Sequence, residues 1–285
     1  MSVVVVGAAG QLGRDICHEL GSRAVSLRHK EIELTDSASV RSVLTELRPE
    51  AVINTAAFNR VDDAESRPQE AFGVNAFGVR SLSEVCRDLD CLLVHFSTDY
   101  VFGLERGRSA PIGEVEAPGP VSVYGLSKLA GEYFVRTICA KHFVIRTCGL
   151  YGLHGSGGKG TNFVETMLRL GRERGQVSVV NDQRCTPTFT VHLAQATLEL
   201  IRHHDFGLFH WTNSGDCSWH EFACEIFRQA DMDVQCKPIS TAEFAARAAR
   251  PKYSVLATEK IQRLGLPAPR PWREALREYL ALRTK

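Results

Sequence analysis

Short apolar runs alternate with amphipathic stretches through the first half of the chain. Residues 2–6 end in four consecutive valines, the continuous β-branched pattern of a parallel strand buried on both faces. Leu12, Ile16 and Leu20 follow at helical spacing. Strands are predicted again over residues 24–27, 49–54, 91–96 and 141–146, with helices over 40–47 and 69–89 and from 123 onward. Asp36 is a plausible N-cap for the first of these helices. Asn75, in the middle of the 69–89 helix, lowers helix propensity and therefore predicts a cap-like or site role. Strands alternating with helices predict an α/β fold with a doubly wound parallel sheet.

After Gly149 the texture changes. Residues 153–160 are glycine-rich and basic, which predicts a mobile loop at a site mouth. Helices are predicted over 162–174, 191–203, 219–230, 241–248, 258–264 and 272–282, with a short strand over 176–180. No repeat or low-complexity run interrupts them. The expected organisation is a nucleotide-binding Rossmann domain over residues 1–150, with a return helix at 190–204 packing on it. Residues 151–285 would form a smaller α+β lobe for substrate.

Composition narrows the function classes. The chain is 44% hydrophobic, enough for a sizeable core. A net charge of +1 gives no reason to expect a nucleic-acid partner. No apolar run approaches the ~20 residues of a membrane span, and the N-terminus lacks a signal-peptide pattern. Nine scattered cysteines, odd in number and without a Cys-x-x-Cys pair, suit reduced thiols in a cytoplasm. The ten histidines show no metal-ligand spacing, so no metal is assigned.

Two stretches carry chemistry. The first is Gly7-Ala8-Ala9-Gly10-Gln11-Leu12-Gly13, directly after the first strand and opening a helix. Glycines there let the backbone turn tightly and approach a pyrophosphate at the helix N-terminus. Its G-x-x-G-x-x-G spacing departs from the usual G-x-G-x-x-G. After the second strand, where an acidic residue usually takes a ribose hydroxyl, stand Arg28, His29 and Lys30. They suit the 2′-phosphate of NADP, or form a solvated turn. The small residues of Asn54-Thr55-Ala56-Ala57 let a flat ring or ribose lie against backbone.

The second stretch runs from Ser97-Thr98-Asp99-Tyr100-Val101-Phe102-Gly103 to Tyr124-Gly125-Leu126-Ser127-Lys128. Tyr124 and Lys128, at i and i+4, fall on one helix face. A cation beside a phenol lowers its pKa, and a phenol so tuned can exchange a proton with an alcohol or ketone. Thr98 could hydrogen-bond the same oxygen. Alone, a Tyr-x-x-x-Lys is far more often a surface pair, common by chance.

These motifs, with Val61-Asp62-x-Ala64-Glu65, Asn162-Phe163-Val164, Asn181-Asp182-Gln183 and Arg250-Pro251-x-x-Ser254, resemble the extended short-chain dehydrogenase/reductases. Within that superfamily the chain is most similar to the dTDP-4-dehydrorhamnose reductase family, over nearly its whole length. The resemblance implies NADPH, with NADH as a second option, and a nucleotide-sugar substrate. It implies Thr98, Tyr124 and Lys128 as the catalytic trio, with Asn75 as a fourth member on the cofactor side. Gly7, Gly10, Gln11, Leu12 and Gly13 would hold the pyrophosphate, and Arg28, Glu33 and Leu34 the adenosine end. Ala56, Ala57 and Phe58 would also face the cofactor. Asn59, Val61, Asp99 and Tyr100, with Thr98, would face the sugar. A homodimer is compatible with the resemblance; some relatives hold magnesium at such an interface, and Asp15 falls near one of those positions without identifiable companions.

The departures concern the sugar. Phe58-Asn59 stands where the family has Tyr-Thr, and Gly149 where it has a tryptophan. Two other readings compete. An epimerase or 4,6-dehydratase shares the fold, but dehydratases of this pattern carry Thr-Asp-Glu, and here Tyr100 replaces the glutamate. A non-catalytic NADP-binding regulatory subunit, of the methionine adenosyltransferase β type, is the third, since fold does not fix function.

Overall fold

The structure is a computed structural model that describes residues 2–105, 107–154 and 161–283. Val3–Val6 (β1), Ala24–Leu27 (β2), Ala51–Asn54 (β3), Leu92–Thr98 (β4) and His142–Thr147 (β5) form one parallel sheet. A sixth strand, Gly207–His210, comes from the second half of the chain and pairs with β5. The sequence reading assigns no strand there. Four residues between a helix end and a polar turn carry too little periodicity to be recognised. The strand order is Gly207–His210, β5, β4, β3, β1, β2.

Because successive strand side chains point to opposite faces, the four valines of β1 feed two separate cores. Val3 and Val5 meet Ile16 and Leu20 from helix Gln11–Leu20, and Leu193 and Leu198 from helix Thr190–Leu200. Val4 and Val6 meet Val40 and Leu44, and Val79 and Leu82, from the opposite layer. The connections from β1 run first to one side and then, from β2, across to the other. The sheet therefore reverses between β1 and β3, and ligands bind at such a point, beyond the carboxyl ends of the strands.

The second half folds around its own aromatic core of Tyr151, Phe189, Phe222, Trp272 and Tyr279. Helices Phe163–Arg174, Trp219–Gln229 and Trp272–Leu282 enclose it, beside the parallel pair Gln176–Val180 and Gln235–Ile239. A backbone bridge and a side-chain bond return it to the sheet side: Ile112 pairs with Leu256, and Ser254 Oγ donates to Asp99 Oδ2 at 2.6 Å.

Several predicted elements differ. The single helix over 69–89 is three segments: Pro68–Phe72, a wide π-helical turn at Gly73–Gly78, and Val79–Asp88. The widened turn is where the buried Asn75 bonds out of the helix, a common use of π-turns. The helix expected over 241–248 stops at Phe244, where Ala245 turns left-handed at φ 49°. That over 258–264 shortens to Glu259–Gln262, and Gly265 follows at φ 84°. Of the predicted loop 153–160, residues 155–160 lie outside the described residues. The histidines, read as lacking ligand spacing, include one that the fold sets beside two cysteines: His220, with Cys224 and Cys236. The partnering is hidden in sequence because Cys236 arrives from a separate strand.

Candidate active site

The glycine turn is built by contact as much as by dihedral. Gly7 has φ +80°, and a Cβ there would sit 2.6 Å from the Ala56 nitrogen. A Cβ on Gly13 would sit 2.5 Å from the Gly7 carbonyl oxygen. The turn is therefore packed flat against the β3 end. Gly10 caps helix Gln11–Leu20 without a side-chain bond, and no acidic residue occupies its first turn. The helix N-terminus, with its positive dipole end, opens into a cleft of about 1230 Å³. This cradle fits a dinucleotide diphosphate, which such an end binds through backbone N–H groups. Arg28, His29, Glu33 and Leu34 line one end of the cleft; Lys30 does not. His29 pairs with Glu33 at 3.1 Å, and Glu33 in turn accepts from the Thr35 backbone and hydroxyl. Gln11, Leu12, Ala56 and Ala57 line the same cleft.

At its centre stand Thr98, at the β4 end, and Tyr124, in the first turn of helix Val123–Ile138. Ser122 caps that helix by accepting from the Gly125 N–H at 3.2 Å. Glycines set its depth: a Cβ on Gly125 would lie 2.2 Å from the Tyr100 carbonyl oxygen, and one on Gly131 2.2 Å from that of Asn75. The close approach sets the Tyr124 phenol on the same cleft wall as Thr98. Tyr100 meets Tyr124 edge to face at 5.7 Å.

Lys128 corrects one expectation. It shares the helix face with Tyr124, but its ammonium donates to the Phe96 carbonyl at 2.7 Å and lies 3.4 Å from His95 Nε2. Burial pushes Lys128 down to about 8. Burial pushes Tyr124 above its ordinary range, and the neighbouring Thr98 hydroxyl opposes the rise. In this structure Lys128 does not lower the tyrosine pKa, because desolvation of the phenol outweighs a cation directed elsewhere.

A family model described as RmlD substrate binding domain matches residues 1–284. A dTDP-4-dehydrorhamnose reductase of Streptomyces griseus is 38% identical, over 96% of this chain and 91% of its own. The chain belongs to the dTDP-4-dehydrorhamnose reductase family. A dTDP-4-keto-6-deoxy-D-glucose reductase of Streptomyces niveus is also 38% identical, covering 98% of this chain and 96% of its own. The crystal structure of dTDP-4-dehydrorhamnose reductase from Bacillus anthracis in complex with NADP superposes with a TM-score of 0.93. It shares 38% identity, and the match covers 99% of this chain and 100% of that one.

For this dTDP-4-dehydrorhamnose reductase family member, two expected cofactor contacts are placed differently. Asn75 is fully buried and does not line the cleft. Its Oδ1 accepts from the Phe58 N–H at 2.8 Å, and its Nδ2 donates to the Phe58 carbonyl at 2.9 Å and to Ser127 Oγ at 2.9 Å. It clamps the 56–59 backbone to the helix that carries Tyr124. The Phe58 ring lies under Arg67 at 5.6 Å, off the cleft wall. Asn59 and Val61 do line the cleft. So does Asp99, but its carboxylate is committed to Ser254 and Thr98, and burial pushes its pKa up.

The same wall holds residues that the family motifs contain but that sequence reasoning does not assign to the site. Arg250 lines the cleft together with Tyr100 and pairs with Asp62 at 2.8 Å. Asn162 caps helix Phe163–Arg174 and donates to the Gly152 carbonyl at 2.9 Å and to Gln11 Oε1 at 3.4 Å, tying the lobe to the glycine turn. Trp219 lines the cleft too, its ring tilted against Phe163 at 4.8 Å. Its ring edge lies 3.3 Å from where a Cβ on Gly149 would be, and Gly149 has φ +55°. The space freed at Gly149 is thus bordered by an indole delivered from the lobe. Arg250 and Trp219 enter from far along the chain, and only a three-dimensional arrangement reveals them.

Proposed function

We propose that the chain is an NADPH-dependent reductase of the C4 ketone of a nucleotide-linked 6-deoxy-4-ketohexose. The first substrate in view is dTDP-4-dehydrorhamnose, reduced to dTDP-L-rhamnose. The observation that carries this reading is the meeting of Thr98, Tyr124 and Lys128 at the centre of a cleft that begins at the glycine turn and ends at the second-half lobe.

NADPH, when bound, supplies the hydride that reaches the ketone carbon. The rest of the chemistry belongs to the chain. Tyr124 gives its phenolic proton to the carbonyl oxygen, so that hydride and proton together make one secondary alcohol. Its raised pKa suits an acid that keeps its proton until the oxygen bears charge. Thr98, whose hydroxyl donates to Asp99 at 3.1 Å in the free protein, turns that proton to the ketone oxygen and so orients it. Lys128 presents a buried cation to the cofactor side, where ribose hydroxyls can accept from it. Gly10, Gln11 and Leu12 offer backbone N–H groups to the diphosphate. Arg28 and His29 favour NADP over NAD, and Ala56 and Ala57 leave room for the nicotinamide half. Asn59, Val61, Asp99, Tyr100, Arg250 and Trp219 form the sugar side. In this division residues 1–150 bind cofactor and 151–285 complete the substrate site. With Tyr100 next to Asp99, the site has no second free carboxylic acid at that position for eliminating water, which disfavours a dehydratase.

The nine cysteines are all free, which suits a reducing cytoplasm. No helix among the described residues is long and apolar enough to cross a membrane. A homodimer is the assembly in keeping with the resemblance.

The test mixes protein, NADPH and a dTDP-4-keto-6-deoxy sugar, with a 3,5-epimerase added so that both sugar epimers are supplied. The expected result is oxidation of one NADPH per sugar reduced. Loss of sugar without stoichiometric cofactor oxidation would overturn the reading in favour of an epimerase or dehydratase.

A further inference from the structure

Away from the cleft, His220, Cys224 and Cys236 bring one imidazole nitrogen and two sulfurs within 4.8 Å of one another. His220 and Cys224 are four apart on helix Trp219–Gln229 and so share a face. Cys236 lies on strand Gln235–Ile239, which packs against that helix. Cys224 Sγ is 3.5 Å from His220 Nε2, and the same nitrogen is 3.2 Å from the Cys236 carbonyl oxygen. All three side chains are partly exposed, so an ion can reach them.

We propose that these three side chains form a site for a thiophilic divalent cation, zinc in the first instance. Two sulfurs and one imidazole are a ligand set that soft and borderline cations select over magnesium or calcium. Tetrahedral zinc with bonds of about 2.3 Å to sulfur holds its sulfurs roughly 3.8 Å apart. The present spread, within 4.8 Å, is about 1 Å from that. On binding, each thiol releases its proton to water, and two thiolates neutralise the dication. His220, whose Nε2–H donates to the Cys236 carbonyl in the free protein, shifts to the tautomer protonated on Nδ1, gives up that contact and offers the Nε2 lone pair to the metal. Water completes the fourth position. The bound ion would pin helix Trp219–Gln229 to the strand beside it. Trp219, the cleft-lining indole, immediately precedes His220, so the site would steady one wall of the cleft.

The experiment titrates full-length, freshly reduced protein with Co²⁺ under anaerobic conditions and follows absorbance. The expected result is one Co²⁺ per chain with a thiolate-to-cobalt charge-transfer band, displaced by Zn²⁺ and absent in Cys224→Ser and Cys236→Ser. His220→Ala should weaken Co²⁺ binding at least about tenfold, as loss of one ligand does. Ketone reduction measured in the same variants reports that they remain folded. On the wild-type chain, mass spectrometry should show Zn²⁺ slowing alkylation of Cys224 and Cys236 but not of Cys17. Cobalt binding without the charge-transfer band would overturn the proposal. So would unchanged alkylation, or a Cys224–Cys236 disulfide as the resting state of unreduced protein.

Discussion

Nζ of Lys128 lies 3.4 Å from Nε2 of His95, with both side chains buried. Asn54 decides what that contact means. Its Oδ1 accepts from the Ala56 N–H at 3.1 Å, so its amide NH₂ faces His95 Nδ1 at 3.2 Å. Nδ1 is then the acceptor, and the ring proton sits on Nε2, toward Lys128. An N–H facing an ammonium is unfavourable, whereas one facing a neutral amine is a hydrogen bond. Burial alone pushes Lys128 down to about 8, against the pull of Glu132.

The first prediction is a pH dependence. Lys128 is charged in the folded protein below about pH 8 and neutral above it. NADPH affinity should therefore fall as pH rises through 8. His95→Gln places an amide that can accept from the ammonium, so the fall should move to higher pH. Fluorescence titration of NADPH across pH checks both. The linkage for stability has the opposite sense. The unfolded lysine binds its proton up to about 10.5, so the desolvation penalty is complete below 8 and fades as pH climbs toward 10.5.

Arg28 borders the adenosine end of the cleft. If its guanidinium meets a 2′-phosphate, Arg28→Ala removes a charge-assisted bond worth about 1.5–3 kcal/mol. NADPH affinity should drop about ten- to a hundredfold, and NADH affinity should hardly change. Equal losses for the two cofactors would contradict the assignment.

Trp219 supplies the apolar surface beside Gly149. Trp219→Ala should raise KM for the sugar nucleotide on the order of tenfold and leave NADPH affinity alone. Steady-state kinetics with each substrate varied in turn separates the two. A rise confined to the cofactor KM would place the indole elsewhere.

Asn75 makes three side-chain hydrogen bonds in a fully buried setting. Asn75→Ala leaves the Phe58 N–H and carbonyl unpaired and should cost about 1–3 kcal/mol of stability. Denaturant unfolding measures it. Unchanged stability with a large loss of cofactor affinity would instead make Asn75 a direct ligand.

Much of this was legible in the residues. The valine run of β1, the glycines after it and the Ser97–Lys128 segment each carry a strong local pattern, because sheet burial and tight turns restrict residue choice. What stayed hidden depends on contacts between distant segments. The sixth strand is short, and its parallel partner β5 precedes it by some sixty residues. Trp219 and Arg250 reach the cleft only after the second half folds back on the sheet. The widened turn at Gly73–Gly78 follows from Asn75 bonding across to Phe58, which no propensity encodes. The tuning of Tyr124 was misjudged for a related reason. Helical spacing places Lys128 beside it, but the depth of burial and the Phe96 carbonyl decide where the charge goes.

The central claim is that Tyr124 delivers the proton. Tyr124→Phe removes one hydroxyl, keeps the ring against Tyr100 and should leave NADPH affinity intact. Single-turnover reduction of the 4-keto sugar by enzyme preloaded with NADPH isolates the chemical step. The rate should fall by about 10²–10⁴-fold, the usual cost of losing a general acid. A near-wild-type rate in Tyr124→Phe would contradict the mechanism and remove this residue from the chemistry.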